Sequence, residues 1–382
     1  MLQLAKSILV PIFFCLVAQI SIMACGQHPI LIGFAGQLSG ISSDLGVQAR
    51  NGATLALEEI NAQGGIDGHL VRMLAKDDGN RPEMARQVDQ ELIDAGVVAI
   101  IGHMTSSQSM AALPVLEKAG VVLLSPTTST PQLTGKKDMF FRVQVSSART
   151  ARALASFARH RLNLSRILTI KDTDNQAYSS PYNHTFLQHF QGLQGRILDS
   201  CSFSSIQGDI WGQVKTCLAD KDPEGILIIA SARDTASLVP RLKARTSGIH
   251  VLSSGWATTH SLLVHGGQTC SGLFAAHDGI ADRQKAASQN FMHSYRERFG
   301  QKPSFAAEQG YHAMHVLAQA LRKTKGQKQG LPQALSQTSP IQSLYGPLSL
   351  DTYGDAQAPV SILQVVNGTY VHITRMHPQG SS

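Results

Sequence analysis

Two clusters of small hydroxyl residues carry the chemistry most readable in this chain. Thr105-Ser106-Ser107 follows an apolar run at 97–101, and Ser125-Pro126-Thr127-Thr128-Ser129 follows another at 121–124. Hydroxyls donate hydrogen bonds, and backbone N–H groups at a helix start lack partners and carry the positive end of the helix dipole. Each charge-assisted hydrogen bond contributes about 1.5–3 kcal/mol, so a carboxylate can be held here without arginine or lysine. Ser106, Ser107, Thr127, Thr128 and Ser129 are therefore candidate ligand contacts. The plainer alternative is that Ser106 caps its helix and residues 127–129 only form a turn.

The elements between and around the clusters fit a ligand site. Met110, Leu113, Val115 and Leu116 repeat at helical spacing and stop at Gly120. Strand, helix and strand in that order make a βαβ unit of a parallel sheet. Such sheets bind ligands beyond the carboxyl ends of their strands, where both clusters fall. The same alternation continues, with strand-like runs at 30–34, 70–74, 167–170, 196–201, 226–230, 250–252 and 273–276. Helical periodicity occupies 47–61, 83–94, 148–160, 186–191, 210–218, 235–244, 286–299 and 306–322. The fold class is α/β, with two doubly wound parallel sheets of about five strands each, joined near residue 145. Residues 346–373 read as β, and Asn367-Gly368 marks a hairpin turn that adds two strands to one lobe.

Composition sets the class. A chain of 382 residues with 43% hydrophobic content exceeds one ordinary core and implies two domains. The formal charge is +7, yet no run of Lys and Arg exceeds two residues and acids are interspersed, which reads as a solvated surface with no nucleic-acid partner. Lys6 followed by an apolar stretch at 8–22, broken by Pro11 and Gln19, reads as a targeting segment over 1–24. The stretch ends Ile22-Met23-Ala24-Cys25-Gly26, similar to a bacterial lipoprotein signal in which Cys25 is lipidated. The alternative is an ordinary secretory peptide, and either way an exported protein of the periplasm or cell envelope is expected. In an oxidising compartment Cys201, on a strand, and Cys217, on the following helix, can form a local disulfide, leaving Cys270 buried. No spacing calls for a metal or cofactor; His312 and His315 share a helix face without a third ligand nearby.

Several ordered motifs resemble the type I periplasmic binding proteins, in the leucine/isoleucine/valine-binding branch. They are Ile32-Gly33-Phe34-Ala35-Gly36-Gln37-Leu38-Ser39-Gly40, Asn51-Gly52-Ala53, the run from Glu58 to Gly68, Lys76-Asp77-Asp78, and the two hydroxyl clusters. Looser matches are Tyr178, Gly272-Leu273-Phe274, Gly310-Tyr311 with Ala313, and Gly346-Pro347-Leu348. The resemblance implies two lobes joined by three crossovers that close on a ligand. Lobe 1 is then 26–143 plus 280–354, and lobe 2 is 144–279 plus 355–382. It also implies that Leu45 takes the place of a first-lobe aromatic wall, and that Tyr178, Arg233 and Trp256 face the ligand from lobe 2. Amino-acid-binding relatives supply an acid from lobe 2 for the ligand ammonium. Near that place stands Ser254-Gly255-Trp256-Ala257-Thr258, so Glu308, Asp174 or Asp278 would have to substitute.

The function expected is a lipid-tethered, non-enzymatic solute-binding protein. It captures a small carboxylate, an amino acid or related metabolite, for an ABC permease, and meets the membrane through its anchor only. A ligand sensor on the same fold, feeding a signalling regulator, is the alternative. An exported hydrolase using Ser106 or Ser125 is disfavoured, because no Gly-x-Ser-x-Gly elbow is present.

Overall fold

The computed structural model describes residues 28–40, 43–278, 285–337 and 340–376. The leader 1–24 and the lipidation expected at Cys25 lie outside the described residues.

Strand and helix alternate from the start: β1 (Ile30–Gly36), α1 (Asp44–Ala62), β2 (Val71–Asp77), α2 (Pro82–Asp94), β3 (Ala99–Ile101), α3 (Ser106–Ala119), β4 (Val122–Ser125) and β5 (Phe140–Arg142). The five strands form a parallel sheet in the order β2-β1-β3-β4-β5. All residues of β3 and β4 are buried, as continuous apolar strands covered on both faces should be.

A second series follows: α4 (Ser147–His160), β6 (Arg166–Asp172), α5 (Gln176–Gly192), β7 (Arg196–Phe203), α6 (Ile210–Val214), β8 (Gly225–Ile229), α7 (Ala232–Arg245), β9 (His250–Ser253), α8 (His260–Gly266) and β10 (Phe274–Asp278). Then α9 (Ala286–Phe299), α10 (Phe305–Lys323) and α11 (Leu331–Ser336) return to the first sheet, where α10 packs along α1. Glycine makes that packing close. A Cβ on Gly52 would stand 1.8 Å from the Ala307 carbonyl oxygen, and one on Gly310 would stand 2.0 Å from that of Ala49. Two of the motif glycines are thus reciprocal notches in one helix crossing.

The tail divides. Strands β11 (Ile341–Ser343), β12 (Gly346–Leu350) and β13 (Ala356–Gln357) form a small antiparallel sheet, with Leu348, Leu350 and Ala356 in the core of the first sheet. Ala358 packs against the same core. Strands β14 (Val360–Val366) and β15 (Thr369–Met376) form the hairpin, turning through Asn367 (φ 48°) and Gly368 (φ 70°). Both positive φ values belong to the turn type that Asn-Gly favours. The hairpin joins β10 antiparallel, giving a seven-stranded sheet in the order β15-β14-β10-β9-β8-β6-β7.

Other expectations differ in detail. The helix expected at 186–191 is the second half of α5, which runs on from Gln176 despite an internal Pro181, and α6 ends at Val214. Cys201 and Cys217 are disulfide-bonded, with Cα atoms 5.9 Å apart, and Cys270 is a buried free thiol.

Candidate functional site

The carboxyl ends of both sheets face one cavity, which encloses about 460 Å³ of empty space with its opening included. From the first sheet side come Leu45, Met104, Thr105, Ser106, Thr127 and Ser129. From the second come Thr150, Asn175, Tyr178, Gly255, Trp256, Ala276, His277 and Asp278, with Gln144 and Val145 of the β5–α4 connection and Phe305 of α10.

The loops that present the hydroxyls rest on a buried charge cluster. His103, fully buried, has Nδ1 2.7 Å from Asp78 Oδ2 and Nε2 3.2 Å from Asp89 Oδ2. Burial alone would lower its pKa; the charge of Asp89 and the hydrogen bonds to Asp78 and Asp89 overcome that and raise it to about 10. The imidazolium pins the peptide after β3 to the end of β2 and the middle of α2. Its own carbonyl oxygen then accepts from Ser125 Oγ at 2.8 Å and Thr128 Oγ1 at 3.2 Å. Thr127 Oγ1 donates to the Met104 carbonyl at 2.6 Å. The two hydroxyl clusters are in this way one cross-linked unit, and Ser125 is spent on holding it together.

No side chain caps α3: the hydroxyl of its N-cap, Thr105, donates to the side chains of Asn80 and Gln108 instead. The alternative that Ser106 caps this helix does not apply, since Ser106 is its first residue. The first-turn N–H groups are left for other acceptors. One is used between the sheets, where Ser107 N and Oγ lie 3.2 and 3.3 Å from Asn175 Oδ1 and Ser107 Oγ accepts from Ala177 N at 3.3 Å.

Ser106, Thr127, Ser129, Leu45, Tyr178 and Trp256 are brought together in the lining. Ser107, Thr128 and Arg233 stand outside it. Ser107 joins the starts of α3 and α5. Thr128 is buried behind the wall, bonded to Ser109 Oγ at 2.7 Å. Arg233 starts α7 at a neighbouring recess shared with Asp44, Leu45 and Trp256. Glu308 and Asp174 are not in the lining, whereas Asp278 is, at 1% exposure.

Tyr178 and Trp256 meet edge to face at 5.7 Å, and burial pushes the Tyr178 phenol well up, keeping it neutral. Phe305 packs edge to face on His277 at 4.6 Å. Sequence reasoning did not single out Gln144, His277 or Phe305. The signal for His277 and Asp278 is present, because they are polar residues closing the apolar run 273–276, as the hydroxyl clusters close theirs. Away from the cavity, His312 Nε2 accepts from Leu344 N at 3.0 Å, and burial holds its pKa down at about 3. His315 lies 3.6 Å from Glu59.

The family model described as periplasmic binding protein matches residues 29–369. An amino acid binding protein of Pseudomonas aeruginosa is 35% identical over 126 residues, 31% of this chain and 34% of the relative. The Leu/Ile/Val-binding protein of Escherichia coli is 31% identical over 122 residues, 32% of this chain and 33% of the relative. Each alignment thus spans about a third of the curated relative's length. Among solved structures, a leucine-binding protein LivK from Thermotoga maritima superposes with a TM-score of 0.83 at 23% identity, over 91% of this chain and 99% of its own. A solute-binding protein from R. palustris, solved with benzoate, gives 0.82 at 18%, over 91% and 96%. At these identities the structural likeness is one of fold. The relatives are substrate-binding proteins, not enzymes. The chain belongs to the periplasmic binding protein family, in the type I branch that includes the Leu/Ile/Val-binding proteins.

Proposed function

We propose that this chain is an exported solute-binding protein, lipid-anchored at Cys25. It captures a small carboxylate-bearing ligand between its lobes and delivers it to an ABC permease. The observation that carries the reading is the uncapped start of α3, facing a cavity with Thr127 and Ser129 beside it and, among the described residues, no lysine or arginine in its lining. Neutral donors with a helix dipole suit a carboxylate in such a place. Lobe 1 is assigned to 26–143 with 280–354 and lobe 2 to the remainder of the mature chain. The three crossovers act as the hinge, and the Ser107–Asn175 contact latches the closed form.

Thermal-shift measurement of the mature chain against amino acids, alkyl and aryl carboxylates, neutral sugars and simple cations tests this. A ligand at 100 times its Kd adds about 2.7 kcal/mol to stability, a readily measured rise in Tm. Stabilisation by carboxylates is expected; stabilisation by neutral sugars or cations alone overturns the reading.

A further inference from the structure

The parallel strands of the first sheet all run towards the cavity, so their starts lie at the opposite end of that sheet. The chain enters there, at Ile30. Between Glu308 and Asp351 the sequence carries Arg322, Lys323, Lys325 and Lys328 and no acidic residue. The loop after α10 folds these lysines over the entry point, where a Cβ on Gly326 would stand 2.5 Å from Ile30 Cδ1. Lys328 Nζ donates to the Ala119 carbonyl oxygen at 3.3 Å, beside Lys118, and Lys323 Nζ donates to that of Gln337 at 2.7 Å. Such neutral partners leave the charges in place. Lys118, Lys323, Lys325 and Lys328 are all exposed, and among the described residues none of them forms an ion pair. The acids at this end are Asp67, Asp94, Glu117 and Asp138, and Lys136 and Lys137 beside Asp138 offset part of their charge.

An apolar residue marks the same place. Leu70 is 58% exposed, and its carbonyl oxygen accepts from Ile30 N at 2.9 Å. An exposed leucine beside a cluster of lysines suits a lipid surface, where lysines meet phosphate and the leucine enters the apolar boundary. Proximity favours the same partner. From Cys25 to Ile30 a fully extended chain spans at most about 17 Å, about two screening lengths at physiological salt. A lipid on Cys25 holds this end of the molecule close to the bilayer.

We propose that the end of the molecule formed by Lys118, Lys323, Lys325, Lys328 and Leu70 docks on an anionic phospholipid bilayer. The protein then has a second membrane contact beside the anchor that the sequence led us to expect alone. The cavity, at the other end of the first sheet, is held away from the lipid. The proximity argument rests on the anchor reading above, while the surface stands on its own charge and exposure.

Co-sedimentation with vesicles tests it, using the mature chain with Cys25→Ser so that no lipid on the protein contributes. Vesicles of phosphatidylglycerol and phosphatidylcholine in equal amounts are expected to bind the protein, and vesicles of phosphatidylcholine alone are not. Each lysine at an anionic surface contributes about 5-fold, so Lys323→Gln with Lys325→Gln and Lys328→Gln should weaken binding about 100-fold. Leu70→Ser alone should weaken it about 3- to 10-fold. Salt at about 1 M, where the screening length is about 3 Å, should release the protein. Arg152→Gln with Arg161→Gln and Lys215→Gln removes equal charge around the second sheet and should change binding by less than about 3-fold. A wild type that ignores anionic vesicles overturns the assignment. So does an equal loss in the two triple variants, because diffuse net charge then suffices. Mass spectrometry of the full chain from cell envelopes decides the anchor separately: vesicle binding by a protein without lipid on Cys25 keeps the surface and discards the anchor.

Discussion

Replacing His103 by glutamine probes the support beneath the first-lobe wall. The imidazole is fully buried and bridges Asp78 at 2.7 Å and Asp89 at 3.2 Å. Glutamine fills similar space but cannot carry charge, so two buried carboxylates lose the cation they share. Breaking a buried pair by removing one partner costs about 3–5 kcal/mol. The wild type gives an independent measure through pH. The folded pKa of about 10 lies above the ordinary 6.5, so the imidazolium's contribution is complete below pH 6.5 and is lost as pH rises through 10. That displacement corresponds to about 5 kcal/mol in all, similar to the deletion cost. Urea unfolding of wild type and His103→Gln at pH 6, 8 and 10 checks both. The gap between them should be about 3–5 kcal/mol at pH 6 and close towards pH 10. A variant as stable as wild type at pH 6, or a gap constant with pH, would refute the assignment of an imidazolium held by two carboxylates.

Three further outcomes are expected. Cys201→Ser with Cys217→Ser removes a cross-link spanning 16 positions and should cost about 3 kcal/mol in urea unfolding; an unchanged midpoint would count against a structural role. Thr128→Ala severs the bonds to Ser109 and the His103 carbonyl and should cost about 1–3 kcal/mol of ligand-free stability. Retained stability would place Thr128 at the ligand instead of behind the wall. Ser107→Ala removes the hydroxyl that meets Asn175 and Ala177; it should weaken ligand binding by about 3- to 10-fold, through faster dissociation in stopped-flow traces. A pure change in association rate would argue against a latch.

Much of this was legible in the chain. Apolar runs of four or five residues mark β3, β4 and β8 because strands buried on both faces need no alternation. The polar clusters that end them mark the cavity because ligands collect at the carboxyl ends. What escaped was which hydroxyl does what. Ser106 and Ser107 are neighbours, yet on a helix adjacent side chains point about 100° apart, so one lines the cavity and the other crosses to the second sheet. Thr127 and Thr128 diverge in the same way within one turn. Asp278 was harder to weigh, since its place depends on the β5–α4 connection delivering Gln144 and Val145 to it from more than 130 positions earlier.

The crossing of α1 with α10 bears on when this chain can fold. Tyr311 Oη of α10 reaches Glu59 at 2.6 Å across 252 positions of sequence, and Tyr295 Oη of the neighbouring α9 reaches Gln48 at 2.8 Å across 247. The core built around β1, α1 and β4 is completed by residues of α10 and α11. As the chain emerges from the ribosome, α1, α2 and α3 are made with their sheet, but the core around β1, α1 and β4 stays unfinished until α10 follows some three hundred residues on. Contacts so distant along the chain also form slowly. Synthesis order therefore leaves the front of the molecule incompletely packed until most of its last third exists.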